Sequence, residues 1–207
     1  MTIIPPSRPA LRALALAVLV ALPAWAAAAA VVGQPAPAFS LPDTGGVRHS
    51  LADFRGRTVV LEWLNHDCPF VRKHYDGGNM QRLQRKHTDA GVVWLSVASS
   101  APGKQGYFPP EKANELTASK GARPTAVLLD PEGTVGRLYG ARTTPHMFVI
   151  DPAGTLVYAG GIDDRPSTDP DDVKGARNHV DAALGELAAG KPVSMATTNP
   201  YGCAVKY

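Results

Sequence analysis

The apolar positions of this chain form two patterns, one typical of buried strands and one typical of helices. Nearly unbroken apolar runs predict strands covered on both faces of a sheet, because such strands show no polar alternation. Three segments have this character: 58–64, 91–98 and 125–129. Helical segments are predicted from Cys68/Pro69, from Asn79 to Thr88, and at 109–120, 134–139 and 172–189. Gly77-Gly78 separate the first two helices, and we expect Asn79 to cap the second.

Turn residues add two hairpins to these elements. Residues 43–46 predict a turn into a strand at 47–50, and residues 151–154 join strands at 146–151 and 155–159. The resulting order is a hairpin, then βαβαβ, then ββα. This order predicts an α/β fold with a central mixed sheet flanked by helices, an N-terminal β-hairpin extension and a C-terminal tail. We expect one domain over residues 31–190. The tail, residues 191–207, is too short and polar to fold alone, so it lies on the domain or is disordered.

The first 30 residues have the pattern of a signal peptide. Arg8 and Arg12 form a positive region beside an apolar run at 11–22, and small residues offer cleavage sites between Ala26 and Ala30. The alternative is an uncleaved anchor, because residues 11–30 are nearly long enough to span a bilayer. Cleavage predicts a periplasmic or secreted protein.

The charge of the chain argues against a nucleic-acid partner. Removal of the signal segment would lower the formal net charge from +3 to about +1. The basic residues are dispersed, and no stripe of basic and aromatic residues is present. The sequence predicts no cofactor and no metal.

The candidate chemistry lies in the only two cysteines of the 207 residues, Cys68 and Cys203. Cys68 follows a buried strand and begins a helix, with Pro69 at the first helical position. The free N–H groups and the dipole at such a position stabilise a thiolate. In an exported protein, two cysteines are expected to be oxidised together, as a structural cross-link or as a catalytic pair.

Cys203 lies in the tail, which is long enough to fold back over Cys68. Gly202 permits a sharp turn, and Tyr201 and Tyr207 are expected to dock the tail on the domain. A permanent cross-link between the cysteines would close a loop of about 135 residues and contribute about 4–5 kcal/mol. A thiolate at a helix N-terminus is a good leaving group, which favours the redox pair over the cross-link.

Other residues near Cys68 are candidates for supporting roles. Glu62, on the strand that leads to Cys68, would have a raised pKa if buried and could carry the thiol proton; alternatively it faces solvent or a salt-bridge partner. Thr144 and Pro145 precede another buried strand, where a cis proline would be retained for a purpose, although most such bonds are trans. Charged or titratable neighbours of the thiol are His66, Asp67, Arg72, Lys73 and His74.

The chain resembles the thioredoxin-fold redoxins, in particular the peroxiredoxin-like branch of the alkyl hydroperoxide reductase/thiol-specific antioxidant superfamily. The resemblance covers about Val32 to Ala189, through PAPAFSLPDTGG, SLADFRGRTVVLEWL, the cysteine after that strand and TTPHMFVIDPAGTLVYAG. It implies that Cys68 is the attacking cysteine, that Glu62 is a buried acid and that Pro145 is a cis proline beside the sulfur.

The departures from the family pattern carry as much information as the matches. Val71 stands where thioredoxins have the second cysteine of Cys-x-x-Cys, so disulfide exchange within that motif is impossible. Asn65 stands where peroxiredoxins have Thr or Ser, so that hydroxyl is absent, and Asn65 is only a candidate for a substitute donor. Arg137 and Arg142 are candidates for the peroxide-binding arginine of the family.

Together these features predict an exported thiol-dependent oxidoreductase with Cys68 as nucleophile and Cys203 as resolving cysteine. Its substrate would be a peroxide or a protein disulfide, with a thiol reductant as its second partner. The sequence leaves open whether the cysteines pair within one chain or across a homodimer. Two alternatives are a Cu(I) chaperone and an inactive redoxin-fold binding module; the chaperone would use Cys68, His66, His74 and Met147.

Overall fold

The computed structural model describes Met1 and residues 29–207, so the predicted signal segment lies almost entirely outside the described residues. The strands of the described part are β1 (Ser40–Pro42), β2 (Arg48–Ser50), β3 (Val59–Trp63), β4 (Val93–Ala98), β5 (Ala126–Leu129), β6 (Thr143–Thr144), β7 (His146–Ile150), β8 (Leu156–Gly160) and β9 (Cys203–Ala204). Its α-helices are α1 (Pro69–Asp76), α2 (Asn79–Asp89), α3 (Pro110–Ser119), α4 (Thr134–Tyr139) and α5 (His179–Ala188). Short 3-10 helices lie at Leu51–Phe54 and Pro170–Gly175.

The centre of the fold is a five-stranded mixed sheet in the order β5-β4-β3-β7-β8. β3 pairs parallel with β4, and β4 pairs parallel with β5. β7 runs antiparallel to both β3 and β8. The predicted α/β fold with a central mixed sheet is therefore confirmed, and so is the N-terminal hairpin of β1 and β2.

Two apolar clusters cover the two faces of this sheet. One face packs against the N-terminal hairpin and α4, with Trp63 and Phe148 buried between them. The other face packs against α1, α2 and α5, around Val60, Trp94 and Tyr158. Every residue of β3 is buried, so the strand is packed on both faces. The chain therefore leaves the carboxyl end of β3 at a well-defined position and continues to Cys68.

The last helix is shorter than the sequence pattern predicts. The prediction of one helix over 172–189 is wrong at its start, because α5 begins only at His179. Asn178 has extended backbone angles, and its side chain accepts the N–H of Asp181, which is the geometry of an N-cap. Residues 170–175 form a separate 3-10 helix that ends in extended backbone at Ala176.

The start of α2 also differs from the expected cap. Gly78, in left-handed conformation, occupies the N-cap position, and Asn79 is the first helical residue. The Asn79 side chain is buried and bonds instead to His74 Nδ1 and Arg82. A left-handed N-cap needs a residue without Cβ, so Gly78 takes this position and Asn79 is free for tertiary contacts.

The C-terminal tail lies on the domain along most of its length. Ala159 pairs with the tail through Ala196 and Thr198, and the Thr198 hydroxyl also contacts Tyr158 and the N–H of Gly161. The tail then forms β9, which pairs antiparallel with β6 in a small two-stranded sheet. Neither of these two short strands is predicted from the sequence, because two-residue strands leave no periodic pattern. Within residues 29–207, no helix combines the length and apolar character needed to cross a membrane.

Candidate active site

Cys68 lies at the N-cap of α1, at the carboxyl end of the central strand. Its backbone is extended, its N–H donates to the Asn65 carbonyl oxygen, and its own carbonyl accepts the N–H of Arg72. Pro69 follows at the first helical position, as predicted. The side chain of Cys68 has no exposed surface. The cysteine is therefore placed at the end of the helix that stabilises negative charge, but in a closed site.

The pairing of β6 with β9 brings Cys203 to Cys68. In this register Thr144 faces Cys203. Cys68 Sγ–H donates to the Thr144 carbonyl oxygen over 3.0 Å, and the Cys203 N–H lies 3.4 Å from the same sulfur. The Thr144–Pro145 peptide bond is cis. Both cysteines are free thiols. The structure therefore brings together Cys68, Cys203 and the Thr144–Pro145 segment.

The two thiols have opposite pKa shifts. Burial raises the pKa of Cys68, but hydrogen bonds from the side chain and N–H of Cys203 and from the N–H of Val71 outweigh it and lower the pKa below its usual value. Burial raises the pKa of Cys203 to about 11, and the hydrogen bond to Cys68 and the negative charge of that sulfur add to this effect. Cys68 is therefore the better thiolate, and Cys203 is the thiol that donates to it.

The residues after Cys203 fasten the tail on its other side. The Val205 N–H donates to the Arg142 carbonyl oxygen, and the Lys206 carbonyl accepts the N–H of Ala101. Tyr207 donates its hydroxyl to the Ala141 carbonyl oxygen over 2.6 Å. Its ring occupies the space where side chains at Gly133 and Gly136 would lie. The expected docking by Tyr207 is confirmed, and the lack of side chains at the two glycines makes room for its ring.

Glu62 is buried at the centre of the sheet and does not face solvent or a salt-bridge partner, which were the alternatives for this residue. Its carboxylate accepts hydrogen bonds from four neutral groups: the Tyr75 hydroxyl, the Trp94 indole, the Ser96 hydroxyl and the Gln84 amide. Burial raises its pKa in spite of these donors. The network joins α1 and α2 to β3 and β4 beneath the cysteine.

The two histidines near Cys68 are neutral at physiological pH. Burial lowers the pKa of both His66 and His74 to about 4. The His66 ring packs against Tyr75 and Phe108, whereas His74 bonds to Tyr201 and Asn79. Neither histidine supplies a cation to the sulfur.

Two of the candidate metal ligands have other roles in the fold. His74 is engaged with Tyr201, and Met147 is fully buried in the core. Within residues 29–207, no group of three His, Cys, Asp or Glu side chains is arranged to hold a metal ion.

The other polar candidates contact the protein itself. Arg137 stacks over the Tyr207 ring at 4.6 Å and donates to the Glu132 carbonyl oxygen. Arg142 is exposed, and its backbone binds the tail. The Asn65 side-chain oxygen accepts the N–H of Asp67, which shapes the loop before the cysteine. The positive charges of Lys206 and Arg72 act to lower the pKa of Cys203, against the larger effect of its burial.

The sequence did not predict which residues of the domain bind the tail. Asp163 and Lys73 are almost fully buried and contact Tyr201, although charged residues at these positions predict solvent exposure. One local signal was present: Gly160-Gly161 at the end of β8 lies where the tail backbone and Thr198 approach closely.

The sequence of this chain matches a known protein family. A sequence profile of the AhpC/TSA family matches residues 32–159, more than half of the chain. The chain belongs to the AhpC/TSA family. The suspected resemblance to this superfamily is thereby confirmed, and the fold is thioredoxin-like.

Individual relatives of this AhpC/TSA chain carry two kinds of name. A protein named as a peroxiredoxin in Mycobacterium tuberculosis is 31% identical over 136 residues, 61% of this chain and 82% of that protein. The thiol-disulfide oxidoreductase ResA of Bacillus subtilis is 26% identical over 125 residues, 60% of this chain and 64% of ResA. The solved structure of an uncharacterized conserved protein from Geobacillus kaustophilus has a TM-score of 0.73 and 26% identity, covering 86% of this chain and 92% of its own.

Proposed function

We propose that this chain is a thiol-dependent oxidoreductase in which Cys68 attacks an oxidised substrate and Cys203 resolves the product. The observation that carries the proposal is the 3.4 Å approach of the Cys203 N–H to Cys68 Sγ across 135 residues of sequence. The pKa values divide the roles: that of Cys68 is lowered, whereas that of Cys203 is raised to about 11. Family membership and the names of the relatives support thiol chemistry.

The first step transfers an oxygen atom when the substrate is a hydroperoxide. The Cys68 thiolate attacks the terminal oxygen, an S–O bond forms and the O–O bond breaks. The sulfur is oxidised by two electrons to sulfenic acid, and the peroxide is reduced to an alkoxide that takes up a proton and leaves as the alcohol. With a disulfide substrate, the same thiolate forms a mixed disulfide and expels one thiolate.

The second step uses Cys203. Its sulfur attacks Cys68 Sγ, an S–S bond forms, and hydroxide leaves and takes the Cys203 proton as water. From a mixed disulfide, the leaving group is the second thiolate of the substrate. An external dithiol then supplies two electrons and two protons to return both cysteines to thiols.

The closed site favours a small hydroperoxide over the disulfide of a folded protein. Cys68 has no exposed surface while β9 is paired with β6, and a folded protein would have to displace the tail to reach it. A disulfide substrate is the second candidate, and the name of the ResA relative supports it. The reductant must also open the tail, since the Cys68–Cys203 bond would lie beneath it.

Three other residues enter the proposal as supports of the thiol. The Thr144 carbonyl oxygen and the neighbouring Pro145 position the Cys68 sulfur. Glu62 makes its hydrogen bonds to neutral core groups, so we assign it a positioning role through Tyr75 of α1. Export by a cleaved signal peptide is also part of the proposal; its support is the sequence pattern of residues 1–30.

Serine substitutions of the two cysteines test the proposal. Cys68→Ser is expected to abolish peroxide and disulfide reduction, whereas Cys203→Ser is expected to react once and then stop, with Cys68 held as sulfenic acid. Turnover with a dithiol and mass analysis of the oxidised protein would measure both. Full turnover in the Cys68→Ser variant would refute the proposal.

A further inference from the structure

The side chain of Tyr201 is held by the helix that begins at Cys68. Its ring packs edge-on against Phe70, with centroids 5.9 Å apart, and the Lys73 Nζ lies 5.5 Å from the ring centre. Its hydroxyl donates to Asp163 Oδ1 and lies 3.1 Å from His74 Nε2. The aromatic ring and the hydroxyl are thus both bound, one by the surface of α1 and the other by a polar cluster.

This polar cluster is almost completely buried. Lys73, His74 and Asp163 are each at most 3% exposed. Lys73 Nζ donates to the Arg165 carbonyl oxygen and lies 3.6 Å from Asp163 Oδ2, an oxygen without a hydrogen bond. Burying such charges costs free energy unless they are paired and hydrogen-bonded. The hydrogen bonds of Tyr201 offset part of this cost.

The hydrogen bonds at Tyr201 run in one direction. The Asn79 amide donates to His74 Nδ1, which leaves the proton of the neutral imidazole on Nε2. Nε2–H then donates to the Tyr201 oxygen, and the Tyr201 hydroxyl donates to Asp163. Burial, followed by the hydrogen bond to Asp163 and the charge of that carboxylate, raises the pKa of Tyr201, so the hydroxyl keeps its proton. The tyrosine is a bound donor and acceptor rather than a titrating group.

Only Gly202 separates this anchor from the second cysteine. Gly202 has φ +142° and turns the chain from Tyr201 into β9. The same helix α1 therefore holds Cys68 at its N-terminus and Tyr201 on its side. While Tyr201 stays bound, Cys203 is therefore tethered two residues from a point on α1.

We propose that Tyr201 is a positioning residue for the second step, and that its bonds to Asp163 and His74 hold Cys203 in reach of Cys68 so that oxidised Cys68 is resolved within the same chain. This inference rests on the proposed function. Fixing the attacking group raises its effective concentration, which accelerates the second step without a change in its chemistry. The same contact closes the site, so its loss exposes Cys68.

A chromogenic aromatic disulfide, 5,5′-dithiobis(2-nitrobenzoate), separates the two steps. Attack by Cys68 releases one thionitrobenzoate, and attack by Cys203 on the mixed disulfide releases a second. Loss of one hydrogen bond to a charged group predicts a second phase about tenfold slower in Tyr201→Phe. The first phase is expected to be as fast as in the wild type or faster, because the tail opens more readily. General damage to the site would slow both phases, whereas the inference predicts that only the second phase is slower.

Tyr139→Phe is the matched control. It removes a buried hydroxyl whose hydrogen bond goes to the Pro37 carbonyl oxygen, outside the tail. We expect both phases of this variant to match the wild type. Wild-type speed of the second phase in Tyr201→Phe would overturn the inference. A wild-type protein that releases only one equivalent would instead overturn the resolving role of Cys203, and with it the proposed function.

Discussion

At the scale of single residues, the main finding is that the two thiols are neighbours with unequal affinity for a proton. Cys203 donates through its side chain and N–H toward Cys68, and these contacts offset the burial that would otherwise raise the pKa of Cys68. A resolving cysteine in this position has a second effect, because it stabilises the Cys68 thiolate in the first step and attacks the oxidised Cys68 sulfur in the second. The reactivity of Cys68 therefore depends on Cys203 before any oxidation takes place.

Removal of the Cys203 side-chain donor is expected to raise the pKa of Cys68. Cys203→Ala deletes the side-chain donor, so the first step in thiolate absorbance should move to higher pH than in the wild type. Cys203→Ser keeps an O–H donor and should show a smaller rise. Below the pKa, attack on the substrate slows with falling pH because the thiolate fraction falls.

The measurement is ultraviolet absorbance of the thiolate against pH. In the wild type, a second step near pH 11 would belong to Cys203. Identical first steps in the wild type and Cys203→Ala would show that the donor has no influence on Cys68.

At the scale of secondary-structure elements, β9 is the element that completes the site, and Gly202 is the residue that permits it. An added Cβ at Gly202 would overlap the Thr144 carbonyl oxygen, and φ +142° is a backbone conformation that other residues rarely adopt. The pairing of β6 with β9 therefore depends on glycine at this position.

We expect Gly202→Ala to release the tail while the domain stays folded. Amide hydrogen exchange at Val205 and Ala101, which bond across the junction between tail and domain, should accelerate at least about tenfold, the size of a loss of 1.4 kcal/mol. Gly185→Ala is the matched control, because this glycine faces open space in α5. Unchanged exchange in Gly202→Ala would mean that other contacts suffice to hold β9.

The sequence predicts regular elements better than it predicts these contacts. The buried runs locate β3, β4 and β5, and the Cys68-Pro69 pair locates the start of α1, because local patterns and caps dictate these features. The start of α5 was wrong because the cap at Asn178 prevails over the helical pattern before it. The contact of Tyr201 with Asp163 could not be predicted, since no local signal shows which distant residues will bind a tail.

At the scale of the whole molecule, buried neutral histidines tie stability to pH. Burial lowers the pKa of His66, His74 and His146 from 6.5 to about 4. The unfolded chain binds more protons than the native protein between these values. The stabilisation is therefore complete above pH 6.5 and is lost as the pH falls toward 4. Glu62, with its raised pKa, acts in the opposite direction: its contribution is present below its unfolded pKa and is lost as the pH rises through the folded one.

We predict that the free energy of unfolding falls by up to about 1.4 kcal/mol per pH unit for each of the three histidines in this range. Urea unfolding between pH 7 and pH 4 would measure it. His66→Phe, which keeps a ring between Tyr75 and Phe108, removes one of the three contributions and should give a shallower slope. An equal slope in wild type and variant would show that His66 is not protonated on unfolding in this range.

The tail has one more consequence, which concerns assembly. The contacts that hold it, from Thr198 at the end of β8 to Tyr207 over Gly133 and Gly136, join the tail to the domain and do not depend on which chain supplies it. Two molecules that exchanged tails would remake every one of them. Such a domain-swapped pair would be closed covalently by oxidation, with Cys68 of each molecule bonded to Cys203 of the other. Dilution favours the intramolecular form, in which the tethered tail has the higher effective concentration.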